Sequence, residues 1–128
     1  MEMLSPNMEE YMKTIFKLHR LSGDGIVHIS DIAEDRGLRK ASVCRATDIL
    51  AEKGFVQKDR YKGLYFTKKG LQYAYYIERR YSIITRFLNE VLRVDLDTAR
   101  KDACGIEHVI SDECYRSICL FLREQAVI

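Results

Sequence analysis

The stretch SDIAEDRGLRKASVCRATDILAEKG, residues 30–54, decides the architecture of the first half of the chain. Ser30 is a helix-capping residue that precedes a short apolar-periodic segment, and Gly37 is the residue type that commonly ends a helix. A second helical pattern runs from about Lys40 to Glu52 and is followed by Gly54. Two short helices joined by a tight, glycine-containing turn are typical of a helix-turn-helix.

The residues that follow this stretch predict a β-hairpin. Phe55-Val56-Gln57-Lys58 and Leu64-Tyr65-Phe66-Thr67 flank the polar loop Asp59-Arg60-Tyr61-Lys62-Gly63. Aromatic and β-branched flanks favour strands, and a polar loop that contains glycine favours the turn between them. A helix-turn-helix followed by a basic hairpin is the layout of a winged helix, so we expect a mostly α protein with a small hairpin wing.

The residues before the helix-turn-helix predict an amphipathic helix. Ser5-Pro6-Asn7 provides the signals of a helix start, and Ser22-Gly23-Asp24-Gly25 provides those of its end. The short apolar run Ile26-Val27-His28-Ile29 is compatible with a small strand. Between the two ends, the apolar residues follow the helical period: Met8, Tyr11, Met12, Ile15 and Phe16.

The second half of the chain predicts helices. One long helical pattern covers residues 67–92, a second helix is capped by Asp95 or Asp97, and a last one is capped by Ser111. The long helix and the last helix carry apolar residues at helical or coiled-coil-like spacing, which predicts a dimerisation face. The residues assigned to this face are Ile84, Leu88, Val91, Tyr115, Ile118 and Leu122.

Charge is distributed unevenly along the chain, although the net charge of the 128 residues is only +2. Ten Lys or Arg and three Asp or Glu lie between Arg36 and Lys69, and the flanking segments are acidic or nearly neutral. A basic block of this kind is the electrostatic signature of a protein that binds a polyanion. A lysine-rich solvated surface is the alternative at this point.

Several other classes of protein are not favoured by the sequence. The chain has no evident signal peptide and no apolar stretch that could span a membrane. Its four cysteines are expected to be free thiols or metal ligands in a cytoplasmic protein. Glycine-rich phosphate loops and nucleophile-elbow motifs are missing, so an enzyme is not expected.

The second helix of the helix-turn-helix carries polar residues on its early turns, as a helix that enters the major groove requires. Arginine can pair with guanine, whereas serine and lysine can hold phosphates. Basic residues in the hairpin suit phosphate or minor-groove contacts. The expected contacts to double-stranded DNA come from Arg39, Lys40, Ser42, Arg45, Lys58, Arg60 and Lys62. The alternative is a solvated helix face.

Three potential metal ligands fall at i, i+3 and i+4 in the second half of the chain: Cys104, Glu107 and His108. On a helix this spacing places all three on one face. A thiolate, a carboxylate and an imidazole together suit a first-row transition metal better than calcium or magnesium. A polar helix face with one buried cysteine is the alternative that the spacing leaves open.

Several segments resemble the diphtheria toxin repressor family of metal-dependent regulators, which includes the manganese transport regulators. The Cys-x-x-Glu-His-x-x-Ser run is the most specific match, and the family's SH3-like domain has no counterpart, so the chain resembles the two-domain type. The matching segments cover nearly the whole chain in the family's order: Met8-Glu9-Glu10-Tyr11, Ile15-Phe16-Lys17-Leu18, Ser30-Asp31-Ile32-Ala33, Tyr61-Lys62-Gly63-Leu64, Thr67-Lys68-Lys69-Gly70 and Asp102–Ser111.

The resemblance implies a homodimer that binds palindromic operators and represses metal-uptake genes when iron(II) or manganese(II) is plentiful. It also implies one metal site per subunit, formed by Glu10, Cys104, Glu107 and His108. We therefore expect a winged-helix DNA-binding domain over residues 1–70 and a helical metal-binding and dimerisation domain over residues 71–128.

The chain departs from the family at other ligand positions, which here carry Lys13, Tyr81, Thr85 and Arg100. Lysine and arginine cannot ligate a metal as cations, so we expect the ancillary second site to be absent. One alternative is a metal-independent regulator in which Lys13 or Arg100 pairs with Glu10 or Glu107 in place of the metal. Another is a winged helix that binds proteins and does not read DNA.

Overall fold

Six α-helices and one β-hairpin make up residues 3–125, the part of the chain that this computed structural model describes. The elements are α1 (Pro6–Leu21), α2 (Ile29–Arg36), α3 (Lys40–Glu52), β1 (Val56–Asp59), β2 (Gly63–Phe66), α4 (Lys68–Arg86), a π-helical turn (Phe87–Val91), α5 (Leu96–Val109) and α6 (Asp112–Glu124). The chain divides into two compact units, Met1–Tyr75 and Tyr76–Ile128. This division lies within α4, slightly after the boundary at residue 70 that the sequence predicted.

The first unit contains the helix-turn-helix. Helix α1 begins as predicted, because the Ser5 hydroxyl accepts a hydrogen bond from the backbone N–H of Met8 at 3.2 Å. Helix α2 ends at Gly37 in the left-handed conformation, with a φ of 65°. It begins at Ile29, so Ser30 lies inside the helix and is not its cap. Apolar side chains of the three helices form the core: Met12, Ile15, Ile32, Val43 and Leu50.

The wing is an antiparallel hairpin in which Val56 pairs with Phe66 and Lys58 pairs with Leu64. Val27 forms one isolated bridge to Leu64, so the predicted strand at residues 26–29 is reduced to a single bridged residue. Gly63 has a φ of 117°, and a Cβ atom there would lie 2.6 Å from the carbonyl oxygen of Val27. Glycine is therefore needed both for the conformation and for the close approach.

The start of α4 is fixed against the end of the helix-turn-helix. The Thr67 hydroxyl donates to the carbonyl of Gly54 at 2.6 Å and accepts from the backbone N–H of Gly70 at 3.0 Å. A Cβ atom on Gly70 would lie 1.7 Å from the carbonyl oxygen of Phe55, which excludes any side chain at that position. The hydrogen bond from Gly70 to Thr67 and the close approach of Gly70 to Phe55 explain why a threonine and a glycine stand three residues apart here.

The second unit contains the end of α4, the π-helical turn, α5 and α6. Ser111 caps α6 as predicted, and of the two residues predicted as possible caps of α5 it is Asp95 that caps the helix; each side chain accepts hydrogen bonds from the first turn. The long helix predicted over residues 67–92 is α4 followed by the π-helical turn. The Asn89 side chain donates to the carbonyl of Val94 at 2.9 Å, which ties this turn to the loop before α5.

Candidate functional site

Helix α3 presents a basic surface opposite an apolar back. Arg39, Lys40 and Arg45 are exposed and Ser42 is half-buried, whereas Val43, Ala46 and Leu50 are buried. The helical period places the apolar residues on the core side, which leaves the basic residues on the solvent side. A helix with an exposed, arginine-bearing first half has the form of a recognition helix for the major groove.

The three basic residues of the wing, Lys58, Arg60 and Lys62, are all exposed. Arg60 and Lys62 are exposed in the loop between β1 and β2. The Asp59 carboxylate accepts hydrogen bonds from the backbone N–H groups of Tyr61 at 2.8 Å and Lys62 at 3.0 Å. These two bonds hold the pKa of Asp59 below its ordinary value, so the carboxylate remains charged and shapes the loop.

Lys58 has a different environment from the other basic residues of the wing. Its Nζ atom lies 2.8 Å from Oδ1 of Asp48 on α3 and 3.5 Å from the carbonyl oxygen of Cys44. The ammonium group therefore links the wing to α3 in the free protein. An open cleft of about 460 Å³ lies here, lined by His28, Cys44, Asp48, Lys58, Arg60 and Lys62 among others.

Three of the four residues predicted to bind metal lie on α5 in the second unit. Glu107 is 2% exposed, and Cys104 and His108 are half-buried. Nε2 of His108 lies 3.6 Å from Oε1 of Glu107, and the Cys104 sulfur lies within 4.8 Å of a His108 ring nitrogen. Ligand atoms lie about 2.0–2.3 Å from a transition metal, so the Cys104–His108 pair and the Glu107–His108 pair are each close to the separation that a shared ion requires. The donor set is that of a first-row transition metal.

The fourth residue, Glu10, lies on α1 in the first unit. Its carboxylate is 3.5 Å from the Nζ atom of Lys13, one turn further along the helix. The side chains of Glu10 and Lys13 are 35% and 16% exposed, so the pair is partly shielded from solvent. Lys13 thus partly neutralises the carboxylate that the sequence assigned to the metal.

Glu9 is a buried acid that the sequence analysis did not single out. It is 1% exposed and accepts a hydrogen bond of 2.5 Å from the Tyr73 hydroxyl, which in turn accepts one from the backbone N–H of Leu4 at 2.9 Å. The signal was present in the spacing, because Glu9 falls three residues before Met12 and seven before Phe16, on the apolar face. These bonds join α4 to the start of α1.

The positions of the ancillary metal site carry no carboxylate or imidazole. Tyr81 is half-buried, Arg100 is exposed, and the Thr85 hydroxyl donates to the carbonyl of Tyr81 at 2.8 Å. A hydroxyl engaged with its own helix and an arginine in solvent are poor metal ligands.

The residues predicted to form the dimerisation face are not equally available. Ile84 and Leu122 are 1% and 0% exposed, so they belong to the core of the chain and offer no surface to a partner. Leu88, Val91, Tyr115 and Ile118 are half-buried. Other large apolar residues of the second unit are more exposed: Leu92, Leu96, Val109, Leu120 and Phe121.

A helix-turn-helix, a hairpin wing and a following helical unit define the class of winged-helix transcriptional regulators. The family model described as iron-dependent repressor, N-terminal DNA-binding domain, matches residues 3–64. The model described as iron-dependent repressor, metal binding and dimerisation domain, matches residues 67–126. The chain belongs to this family of metal-dependent transcriptional regulators, which includes the manganese regulator MntR.

Individual relatives agree with this assignment. The transcriptional regulator MntR of Lysinibacillus sphaericus is 30% identical over 85% of this chain and 76% of its own length. An uncharacterised HTH-type regulator of Methanocaldococcus jannaschii, MJ0568, is 27% identical over 94% of this chain and 96% of its own. These relatives are transcriptional regulators and not enzymes.

Solved structures share the fold. The manganese regulator SloR superposes with a TM-score of 0.76 at 30% identity, over 94% of this chain and 55% of its own. The hypothetical protein SSo2273 of Sulfolobus solfataricus superposes with a TM-score of 0.76 at 26% identity, over 94% of this chain and 91% of its own. Among residues 3–125, no helix combines the length and apolar composition that crossing a membrane requires.

Proposed function

We propose that this protein is a cytoplasmic, homodimeric repressor of metal-homeostasis genes that responds to iron(II) or manganese(II). The observation that carries the proposal is the donor set on α5, where the His108 imidazole lies close to both the Cys104 thiol and the Glu107 carboxylate. Family membership and the exposed basic surface of α3 support the DNA-binding part.

The proposed metal ligands are Cys104, Glu107 and His108, with Glu10 as the fourth, and each subunit holds one site. Glu10 is included because its carboxylate can bind a metal ion and because its position in the sequence matches a ligand position of the family. A bound divalent cation would supply positive charge beside the Glu107 carboxylate, which is buried. The residues Cys104 and His108 must lose their protons to bind it, so acid should weaken the affinity.

The proposed DNA contacts are Arg39, Lys40, Ser42 and Arg45 in one groove, with Arg60 and Lys62 on the flanking backbone. A twofold dimer would place two copies of α3 on two half-sites of a palindrome, about one helical turn or a small multiple apart. The exposed apolar residues of the second unit supply surface for the dimer contact.

Selection from a random duplex library with manganese(II) present would first identify an operator. Binding of that operator is then measured with manganese(II), with iron(II) under anaerobic conditions, and in chelator. We expect metal to strengthen binding and His108→Ala to abolish this effect. Asp102→Ala is the matched control, because Asp102 is an exposed acid on the same helix. Equal operator affinity of the wild type with metal and in chelator would contradict the metal-responsive function.

A second candidate function is favoured by the ion pair between Lys13 and Glu10. In this alternative the ammonium group replaces the metal's charge, and the regulator binds DNA without metal. Lys13→Glu separates the two functions. If metal is the co-repressor, the added carboxylate should tighten manganese(II) binding; if lysine replaces the metal, the variant should lose operator binding in chelator. Arg20→Glu, which makes the same change of charge at an exposed position near the other end of the same helix, is the control for charge alone.

A further inference from the structure

Arg80 is the largest of the fully buried side chains among the described residues, at 2% exposure. Burying a guanidinium group is costly unless its N–H groups are hydrogen-bonded and its charge is paired. Arg79, the preceding residue in the chain, is exposed. The position of Arg80 inside the second unit therefore needs a specific set of partners.

The partners of Arg80 lie on both sides of the junction between α5 and α6. Its Nη2 donates to the carbonyl oxygen of Ile110, the C-terminal cap of α5, at 2.7 Å. Its Nη1 donates to Oδ1 of Asp112, the first residue of α6, at 3.0 Å. The same nitrogen donates to the Tyr76 hydroxyl at 2.6 Å. One side chain from α4 thus holds the end of one helix and the start of the next.

Two aromatic rings and one carboxylate also surround the guanidinium group, whose buried Nε has no hydrogen-bond partner among the described residues. The guanidinium carbon lies 5.0 Å from the Tyr76 ring centroid and 4.9 Å from the Tyr115 ring centroid. Burial, together with a hydrogen bond to Cys119, raises the pKa of Tyr115 to about 12, so this tyrosine stays neutral and offers its ring face. Hydrogen bonds from Arg80 and then Tyr76 hold the pKa of Asp112 below its ordinary value, so the ion pair persists at neutral pH.

The helix that Arg80 holds is the helix that carries the metal donors. Cys104, Glu107 and His108 lie in the last turns of α5, and Ile110 follows His108 by two residues. A cation at the C-terminal carbonyls of a helix is favourable, and a forked donor fixes the rotation of the helix as well as its position. Metal ligands must be held within a few tenths of an ångström of their required places.

We propose that Arg80 is a positioning residue for the metal site, which holds the C-terminal turns of α5 so that Cys104, Glu107 and His108 present their donor atoms together. This inference rests on the proposed metal-dependent function. Arg80 acts through the backbone of Ile110 and through Asp112. Lysine cannot replace it, because a single ammonium group cannot donate in two fixed directions as a guanidinium does.

The test uses the full-length chain and cobalt(II) as the probe, because a cobalt–thiolate bond gives a near-ultraviolet absorption band that reports on Cys104. Arg80→Lys should weaken cobalt(II) binding by about ten- to a hundred-fold, the loss typical of residues that orient metal ligands. It should also diminish the thiolate band at saturation. Arg79→Lys is the matched control and should leave both unchanged. Wild-type cobalt(II) affinity and a wild-type thiolate band in Arg80→Lys would overturn the inference.

Hydrogen exchange of the metal-free protein separates this inference from the proposed function. In Arg80→Lys, backbone amides of residues 104–110 should exchange faster, whereas those of α3 should keep wild-type rates. If the wild type binds no cobalt(II), the metal-dependent function is rejected. Unchanged exchange at residues 104–110 in Arg80→Lys would reject the positioning role separately. If Arg80→Lys does not fold, Tyr76→Phe and Asp112→Asn, which each remove one partner, take its place in both measurements.

Discussion

Basic side chains lie on the surface in the unit Met1–Tyr75, where Arg39, Lys40 and Arg45 are exposed. In the unit Tyr76–Ile128 the most informative charged groups are buried, with Arg80 and Glu107 each 2% exposed. Charges that meet DNA must remain free to leave water and pair with phosphates and bases. Charges that shape a metal site must be fixed before the ion arrives. The two units therefore differ in how far their function depends on internal packing.

The largest expected effect comes from comparing an exposed apolar residue of each unit for its contribution to the dimer. Leu120 in the second unit is 54% exposed and Leu21 in the first is 77% exposed. If dimerisation involves the second unit, Leu120→Asp should destabilise the dimer by about 3–6 kcal/mol, because a twofold contact contains the change twice. Leu21→Asp should leave the dimer intact. Analytical ultracentrifugation measures both, and dimerisation of Leu120→Asp at the wild-type affinity would show that Leu120 lies outside the interface.

The next effect concerns the exposed basic surface. Replacing Arg39 and Arg45 together by alanine should cost about 2–6 kcal/mol of specific operator binding, because each bidentate arginine contact contributes about 1–3 kcal/mol. The thermal midpoint should hardly change, since both side chains are exposed. Arg123→Ala in the second unit, also an exposed arginine, is the control. Fluorescence anisotropy with the operator measures the difference, and an unchanged affinity would mean that α3 is not the recognition helix.

A smaller effect concerns the ion pair between Asp112 and the buried Arg80, and it should depend on pH. The pKa of Asp112 is lower in the folded chain, so the unfolded chain takes up a proton first as the pH falls. The stabilisation by this carboxylate is therefore complete above about pH 4 and is lost as the pH falls through the folded-state pKa. Asp112→Asn should be less stable than the wild type at pH 7, and the difference should shrink below about pH 4. Asp102→Asn is the control, and urea unfolding from pH 3 to 7 makes the comparison.

The smallest expected effect tests whether Lys58 of the wing binds a DNA phosphate or links the wing to α3. Lys58 pairs with Asp48 at 2.8 Å at a partly exposed position, and such pairs contribute about 0–1 kcal/mol. If Lys58 links the wing to α3, Lys58→Gln and Asp48→Asn should weaken operator binding by similar, non-additive amounts and leave the salt dependence unchanged. If Lys58 binds a phosphate, Lys58→Gln should instead lower the slope of log affinity against log salt by about one. A salt titration of the operator complex distinguishes the two.

Much of the first unit could be predicted from the sequence, because its signals are local. The Ser5 cap, the glycine stop at Gly37 and the hairpin loop each depend on a few adjacent residues. The trio on α5 was also predictable, since the i, i+3, i+4 spacing places donors on one helix face whatever the helix packs against. The strand at residues 26–29 was overpredicted, because a short apolar run does not reveal how many of its residues find a pairing partner.

Burial and long-range pairing were decided by the tertiary structure alone. Apolar periodicity made Ile84 and Leu122 equally suitable for a core or for a dimer face, and packing placed both in the core. Arg80 resembles a solvent-facing charge in the sequence, and the spacing of Glu9 does not name its partner. Tyr73 and Asp112, distant along the chain, are the residues that bond to Glu9 and Arg80. The sequence by itself determined the helices, the wing and the chemistry of the donor set, because hydrogen bonding within a helix is local. Which charges are buried depends on partners 32 to 64 residues away, and only the folded chain brings those partners together.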